Sequence, residues 1–289
     1  MTLFSKVESN LAARHPASAK GHVNIRFALS PNGRTYLAEQ YAQYPFHICR
    51  PQYVDADYPD LATLYIQSCS GGIYESDHLQ MRLQASTGTA SHVTTQSSTV
   101  VHSMPVGSAQ QDVFIEAEEG AYIEFLPDPQ VLFPESRFSS LIRVQKARGS
   151  TTLVADAFLV HDPSSSDACF STYASEIQVV SESGEALAID RQKIEGSLFA
   201  RHWPGITGHF SAQGSLVIVS DRPSDDLQDR LQIIDVEGAV IGASALPSSC
   251  GLFTRILAKD GISLRSAMHA IWSTVRTEIK GAAPRPRRK

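Results

Sequence analysis

The chain has 289 residues, of which 42% are hydrophobic and 19% are charged, a composition typical of folded globular proteins rather than disordered ones. Its formal net charge of −5 excludes the basic excess that proteins coating nucleic acid usually carry. No apolar run approaches the ~20 residues needed to cross a bilayer, and the N-terminus lacks a signal-peptide pattern, so we expect a cytoplasmic protein without membrane partners.

Alternation of apolar and polar residues with a period of two dominates the chain, as it does in β-strands with one buried face. In residues 79–85, for example, Leu79, Met81 and Leu83 alternate with polar side chains. Strands at this density, separated by turn formers rather than helices, predict a mainly β fold of stacked antiparallel sheets, sandwich-like and many-stranded. In chain order the predicted strands are residues 24–30, 34–41, 62–68, 79–85, 98–104, 112–119, 121–126, 139–145, 151–160, 176–182, 215–221 and 239–246.

The C-terminal segment follows a helical period instead. Its apolar residues recur at spacings of three and four, and they are Leu264, Met268, Ile271, Trp272 and Val275. Asp260 or Ser263 can cap the start of this helix, and Gly281 can end it. Residues 224–234 form a second, weaker helical candidate. The stripe around Trp272 is either packing for a sheet or a docking surface for a helical partner.

The domain organisation is simple. We predict one β-rich domain over residues 1–283, because no long linker interrupts it, followed by a flexible basic tail, "PRPRRK", at residues 284–289. The cysteines form no CxxC pair, which argues against a zinc ribbon, and we expect all four to be core residues. Phosphate-binding loops of the GxxxxGK[ST] type, GxGxxG motifs and GxSxG nucleophile elbows are all missing.

Several carboxylates and hydroxyls stand out as candidate site residues. Glu75, Asp77 and His78 place three proton-handling or metal-binding groups within four residues of the stretch "SGGIYESDH". Thr95 lies on a strand face that it shares with other hydroxyls, and Asp128 is held between two prolines in "LPDPQ". Each also has a simpler interpretation. A carboxylate such as Asp77 can accept backbone N–H groups in a turn, and threonine is a good strand former. The prolines around Asp128 can serve only to make a rigid turn. Glu124 and Glu135 are weaker candidates.

Taken in order, these motifs resemble the UreD (also called UreH) family of urease accessory proteins, from about residue 20 to residue 278. "RPQYVDADYPDLATLYIQS" and "GLFTRILAKD…IWSTVR" are similar to the beginning and the end of the family pattern. The residues that match the motifs between them are Ser70, Gly71, Gly72, Asp77, Thr94, Thr95, Gln96, Thr99, Glu124, Phe125, Leu126, Pro127, Asp128, Pro129, Phe133 and Arg137.

This resemblance implies a non-enzymatic, β-rich scaffold. Such a protein binds apo-urease together with a helical accessory protein, UreF, and a GTPase, UreG, and helps to insert nickel into urease, with the ion following an internal polar path. The resemblance thus implies transient Ni²⁺ rather than a tightly bound cofactor. Asp77, Thr95 and Asp128 become candidate residues of that path, together with Glu75 and His78, for which the family offers no counterpart and local variation is the competing interpretation.

The chain also departs from the family pattern. Glu75 and Ser76 replace two glycines of the family pattern. The central segment, residues 156–174, lacks the family's glycine–arginine pair, and Asp156 is only an acidic substitute for the glutamate that the family has there. Two other function classes stay open. A β-sandwich hydrolase would place paired carboxylates such as Asp77 and Asp128 roughly 5 to 9 Å apart in an open cleft. A pure protein-interaction module would have no ion path.

Overall fold

The structure is a computed structural model that describes residues 20–165, 168–221 and 226–285. Two stacked sheets contain the seventeen strands of this part of the chain, numbered here in chain order. The seven-stranded sheet consists of β1 (Lys20–Leu29), β2 (Thr35–Ala42), β5 (His78–Ala85), β8 (Ala109–Ala117), β11 (Arg137–Lys146), β13 (Thr172–Ser181) and β14 (Ala186–Glu195). The ten-stranded sheet consists of β3 (Phe46–Ile48), β4 (Ala62–Ser68), β6 (Ala90–Thr95), β7 (Val100–Val101), β9 (Tyr122–Phe125), β10 (Gln130–Leu132), β12 (Thr151–Val160), β15 (Ala212–Ser220), β16 (Ala239–Ala245) and β17 (Gly251–Ala258).

The predicted class, mainly β with stacked sheets, is confirmed, but the predicted antiparallel pairing is wrong for the interior strands. In the seven-stranded sheet β1, β5, β8, β11 and β13 run parallel to one another, and so do β4, β6, β9 and β12 in the other sheet. Between residues 62 and 181 the long strands alternate between the two sheets, so neighbours within a sheet point the same way. Period-two alternation reports the buried face of a strand and carries no information about the direction of its neighbours.

Apolar side chains on the facing sides of the sheets make two separate clusters. The larger contains Val23, Ile25 and Val154, which are fully buried. The second lies toward the opposite ends of the strands and contains Phe138 and Phe158. Polar residues enter the interior at the boundary between these two clusters.

The longest helix lies outside this sandwich. The long helix α3 (Gly261–Lys280) begins at Asp260, whose side chain accepts the N–H groups of Ile262 and Ser263, and ends at Gly281 in the left-handed conformation, as predicted. Its apolar stripe packs on the outer face of the ten-stranded sheet. Two shorter helices are α1 (Gly196–Phe199) and α2 (Leu227–Gln232), and α2 falls within the weaker candidate at 224–234.

The two ends of the chain are only partly described. Residues 1–19 of the predicted domain and residues 286–289 of the predicted tail lie outside the described residues. At the start of the tail, Pro284 is buried, and the backbone N–H of Arg285 donates to Asp55. Within the described ranges, no helix has the length and apolar character that a bilayer crossing requires.

Candidate functional site

A row of polar side chains crosses the inner face of the seven-stranded sheet between its two apolar clusters. Gln111, Ser140, Ser175 and Gln192 occupy matching positions on β8, β11, β13 and β14. Because residues in register on neighbouring strands point to the same side of a sheet, these four side chains share one face. That face looks toward the ten-stranded sheet.

The ten-stranded sheet carries a corresponding row. Asp156 on β12, Ser215 on β15 and Arg255 on β17 are in register across three adjacent strands. Asp156 and Ser215 are buried, and Ser215 Oγ has no hydrogen-bond partner among the described residues. The two rows and five further polar residues near them make a polar layer. We define the polar layer by Thr95, Gln111, Asp128, Gln130, Ser140, Asp156, Ser175, Asp190, Gln192, Gln213, Ser215 and Arg255.

Asp156 joins the two sheets at the centre of the polar layer. Its carboxylate accepts hydrogen bonds from the Tyr173 hydroxyl, at 2.8 Å to each oxygen, and from Ser175 Oγ at 2.5 Å. Burial raises the pKa of Asp156 above the ordinary aspartate value, and the hydrogen bonds from Ser175 and Tyr173 oppose that shift only in part. A cation reaching this carboxylate would relieve the cost of burying its charge.

A cavity of about 210 Å³ lies between the sheets and reaches from β4 to Asp156. It is ample for an ion with part of its hydration shell, since one water occupies ~30 Å³ in the liquid. Its apolar lining includes Leu79, Met81 and Phe125. The polar lining consists of Gln67, Ser68, Ser70, Thr95, Gln96, Ser97, Ser98, Thr99, Gln111, Asp128, Gln130 and Asp156.

The turn at Ser70–Gly72 forms part of the cavity rim, and its glycine is required by the backbone. Gly72 has a φ of +146°, and a Cβ there would lie 2.4 Å from the carbonyl oxygen of Val100. Ser70 Oγ donates to the Gly72 carbonyl, and Gln67 donates to Gln96 across the rim at 2.6 Å. The second glycine of the "SGG" motif is therefore explained by the geometry of this rim.

Two of the predicted path residues come together in this cavity. The backbone N–H of Asp128 donates to Thr95 Oγ1 at 2.9 Å, which fixes the proline-flanked loop against the end of β6. Both residues line the cavity, and both are partly buried. The motifs that carry them are 33 residues apart in sequence, and the parallel pairing of β6 with β9 makes them neighbours.

The other three predicted residues do not line this cavity. Asp77 is buried and accepts the Tyr74 N–H at 2.8 Å, which closes a turn before β5. Glu75 accepts the Val106 N–H at 3.3 Å. His78 points to the outer face of the seven-stranded sheet, where its Nε2 lies 2.8 Å from Asp112 Oδ2. Among the residues that the structure describes, no group of three or more His, Cys, Asp or Glu side chains is arranged to hold a metal ion.

The far end of the polar layer holds an ion pair that joins the two sheets. Arg255 reaches from β17 to β14, where its Nη2 lies 2.9 Å and 3.1 Å from the two carboxylate oxygens of Asp190. Its Nη1 donates to Gln192 Oε1, which also accepts from Gln213 on β15. Both partners of the ion pair are partly exposed, so this group of residues stands at the edge of the sandwich.

A second buried polar group fixes helix α3 on the outer face of the ten-stranded sheet. Glu124, fully buried, accepts hydrogen bonds from Trp272 Nε1 at 2.8 Å and from Arg276 at 3.2 Å, and its Oε2 lies 2.6 Å from His92 Nδ1. Arg276 also donates to Asp55 at 2.6 Å. Burial by itself would raise the pKa of Glu124, but His92 and Arg276 together lower it to about 2. Trp272 is thus a packing residue with a hydrogen bond rather than an exposed docking surface.

Sequence reasoning missed most of the polar layer. Asp156 was identified only as a stand-in within the divergent segment, and Arg255 only as part of a C-terminal motif. One signal was available: polar residues at inward positions of strands that are otherwise apolar, such as Ser215 in "SLVIVSD".

Comparison with known proteins agrees with the motif order. A model of the family described as UreD urease accessory protein matches residues 19–289. Urease accessory protein UreD 1 of Pseudomonas syringae pv. syringae (strain B728a) is 39% identical over 277 residues, covering 95% of this chain and 97% of that protein. The protein of the same name from Bradyrhizobium sp. (strain BTAi1 / ATCC BAA-1182) is 37% identical, covering 89% of this chain and 91% of its own length. That of Methylorubrum extorquens (strain PA1) is 33% identical over 100% of this chain and 99% of its own.

Proposed function

Because this chain belongs to the UreD family of urease accessory proteins, we propose that it assists the insertion of nickel into apo-urease by carrying the ion through the polar layer. Its role is accessory and not catalytic, so the hydrolase alternative falls away. The observation that carries the proposal is the cavity itself, which joins Thr95 and Asp128 at one end to Asp156 in the interior.

The chemistry of the lining suits a cargo ion that has to move on. Carboxylate oxygens bind divalent metals more strongly than the uncharged oxygens of amides and hydroxyls do, because the carboxylate carries a negative charge. Here the lining contains two carboxylates among neutral groups such as Gln111 and Gln130. A cation would therefore meet successive oxygen ligands and no closed set of thiolates or imidazoles, which favours transit over retention.

We further propose a complex with a helical UreF-like protein and a UreG-like GTPase. The sequence has no phosphate-binding loop of the GxxxxGK[ST] type, so nucleotide hydrolysis falls to another member of such a complex. Broad β-sheet faces and an outer helix offer a scaffold with surfaces for more than one partner. Binding to apo-urease should be tested first, because apo-urease is the protein that would receive the nickel.

The test combines binding with nickel loading. We would coexpress apo-urease and its accessory proteins with the native chain or with the double variant Asp128→Asn, Asp156→Asn, then measure nickel per urease by mass spectrometry. Asp112→Asn is the matched control, because Asp112 is also a buried strand carboxylate but faces away from the cavity. A pull-down of each variant with apo-urease shows whether the scaffold still forms.

We expect the double variant to bind urease normally and to lower its nickel content severalfold, while the control leaves both unchanged. Unchanged nickel content with intact binding would support a pure interaction module and contradict the path. Failure of the native chain to bind either apo-urease or a UreF-like protein would contradict the scaffold itself.

A further inference from the structure

The two ends of the polar layer differ in charge. At the cavity end the rim groups are uncharged hydroxyls and amides, among them Ser70, Gln96 and Thr99, with the carboxylate of Asp128 just inside. At the other end a guanidinium bridges β17 and β14 through Asp190 and Gln192. An ion moving between the sheets thus meets a carboxylate near the cavity edge and, at the other edge, a carboxylate that is already paired with a guanidinium.

Arg255 occupies the position that a cation would need at the β14–β17 edge. It lies in register with Ser215, and Ser215 is in register with Asp156. The oxygens of Asp190 and Gln192, which would otherwise be available to a cation, are already used by Arg255. Another cation could bind these oxygens only by displacing the guanidinium, which is itself a cation.

We propose that Arg255 closes the β14–β17 end of the polar layer to cations in the free protein. Cations then enter only from the rim formed by the Ser70–Gly72 turn, and an ion that has entered leaves through the other edge only when Arg255 moves. The meaning of this barrier for nickel transit rests on the proposed function, but the barrier itself is a property of this chain alone.

Thiol labelling measures the barrier without urease or nickel. Ser215→Cys places a thiol beside Arg255, and Thr95→Cys places one at the cavity end. Each is labelled with a neutral methanethiosulfonate and with one carrying a trimethylammonium group, and peptide mass spectrometry gives the ratio of the two rates at the introduced thiol. The expectation that all four cysteines are core residues is wrong for Cys69, which is exposed and therefore reports the intrinsic reactivity of each reagent in the same sample.

The ratio is compared with and without the charge of Arg255. We expect Arg255→Gln to raise the cationic-to-neutral ratio at position 215 by about tenfold, because it removes a positive charge beside the thiol and leaves the Asp190 carboxylate without its ion-pair partner. Arg255→Lys keeps the charge while changing the packing, so it should leave the ratio low. At position 95 neither substitution should change the ratio.

Three outcomes would overturn the proposal. The first is an unchanged ratio at position 215 in Arg255→Gln, and the second is an equal rise in Arg255→Lys, which would indicate loosened packing instead of lost charge. The third is no labelling at position 215 by either reagent in any variant, which would show that this edge leads nowhere. Nickel loading is not part of this readout, so a failure of the proposed function would not alter it.

Discussion

The buried carboxylate of Glu124 gives the sharpest prediction about stability. Glu124→Gln keeps the shape of the side chain but removes the charge that faces Arg276, leaving Asp55 as the one remaining carboxylate of this buried group. Removing one partner of a buried ion pair typically costs ~3–5 kcal/mol. The pKa gives a similar figure, because a fall from 4.5 to about 2 corresponds to roughly 3 kcal/mol of stability. We therefore expect the free energy of unfolding to fall by about 3 kcal/mol at pH 7.

Urea unfolding followed by circular dichroism and tryptophan fluorescence would measure this change. Because the pKa of Glu124 is lower in the folded protein, its contribution is present above the unfolded value and is lost as the pH falls from about 4.5 toward 2. The difference between native protein and Glu124→Gln should therefore shrink over that interval. Glu176→Gln is the control, since Glu176 pairs with Arg191 on the outer surface, where such pairs contribute ~0–1 kcal/mol. A loss below about 1 kcal/mol in Glu124→Gln would contradict a large contribution of the buried Glu124 charge to stability.

Three further substitutions test individual parts of the structure. Gly72→Ala forces a Cβ against a carbonyl oxygen at positive φ, so we expect a loss of ~2 kcal/mol or more and an opened cavity rim; an unchanged melting temperature would contradict this. Asp77→Ala removes the acceptor for the Tyr74 N–H and should cost ~1 kcal/mol without changing the nickel content of urease; a loss of nickel with intact urease binding would return Asp77 to the path. Trp272→Phe keeps an aromatic ring but is smaller and loses the N–H donor to Glu124, so unfolding in urea should reveal a loss of at least ~1–2 kcal/mol; a neutral effect would show that this hydrogen bond does not stabilise the fold.

The fold was predictable as far as local patterns determine it. Alternation identified the buried face of β5, and capping residues located α3 between Asp260 and Gly281. Parallel pairing was not predictable, because a strand such as β8 has the same local pattern beside parallel or antiparallel neighbours. That pairing depends on which sheet each successive strand joins, a long-range property of the chain.

The candidate site was predictable only where a local motif contains its residues. Thr95 and Asp128 were found because each lies in a recognisable motif, and the fold then made them neighbours. The local sequence marks Asp156 and Arg255 only as polar residues at inward strand positions, and their partners Ser175 and Asp190 come from strands of the opposite sheet. Alternation predicts that such side chains point inward, but only the stacking of the two sheets decides which of them meet.

Locating bound nickel by diffraction would test directly whether cations occupy the space between the sheets. Crystals soaked in millimolar Ni²⁺ and measured at the nickel absorption edge would give an anomalous signal at each bound ion. We expect a peak inside the cavity, within ligand distance of Asp128 or Asp156, and its loss in the Asp128→Asn, Asp156→Asn variant. Peaks confined to the outer surface, for example beside His78 and Asp112, with none between the sheets, would contradict it.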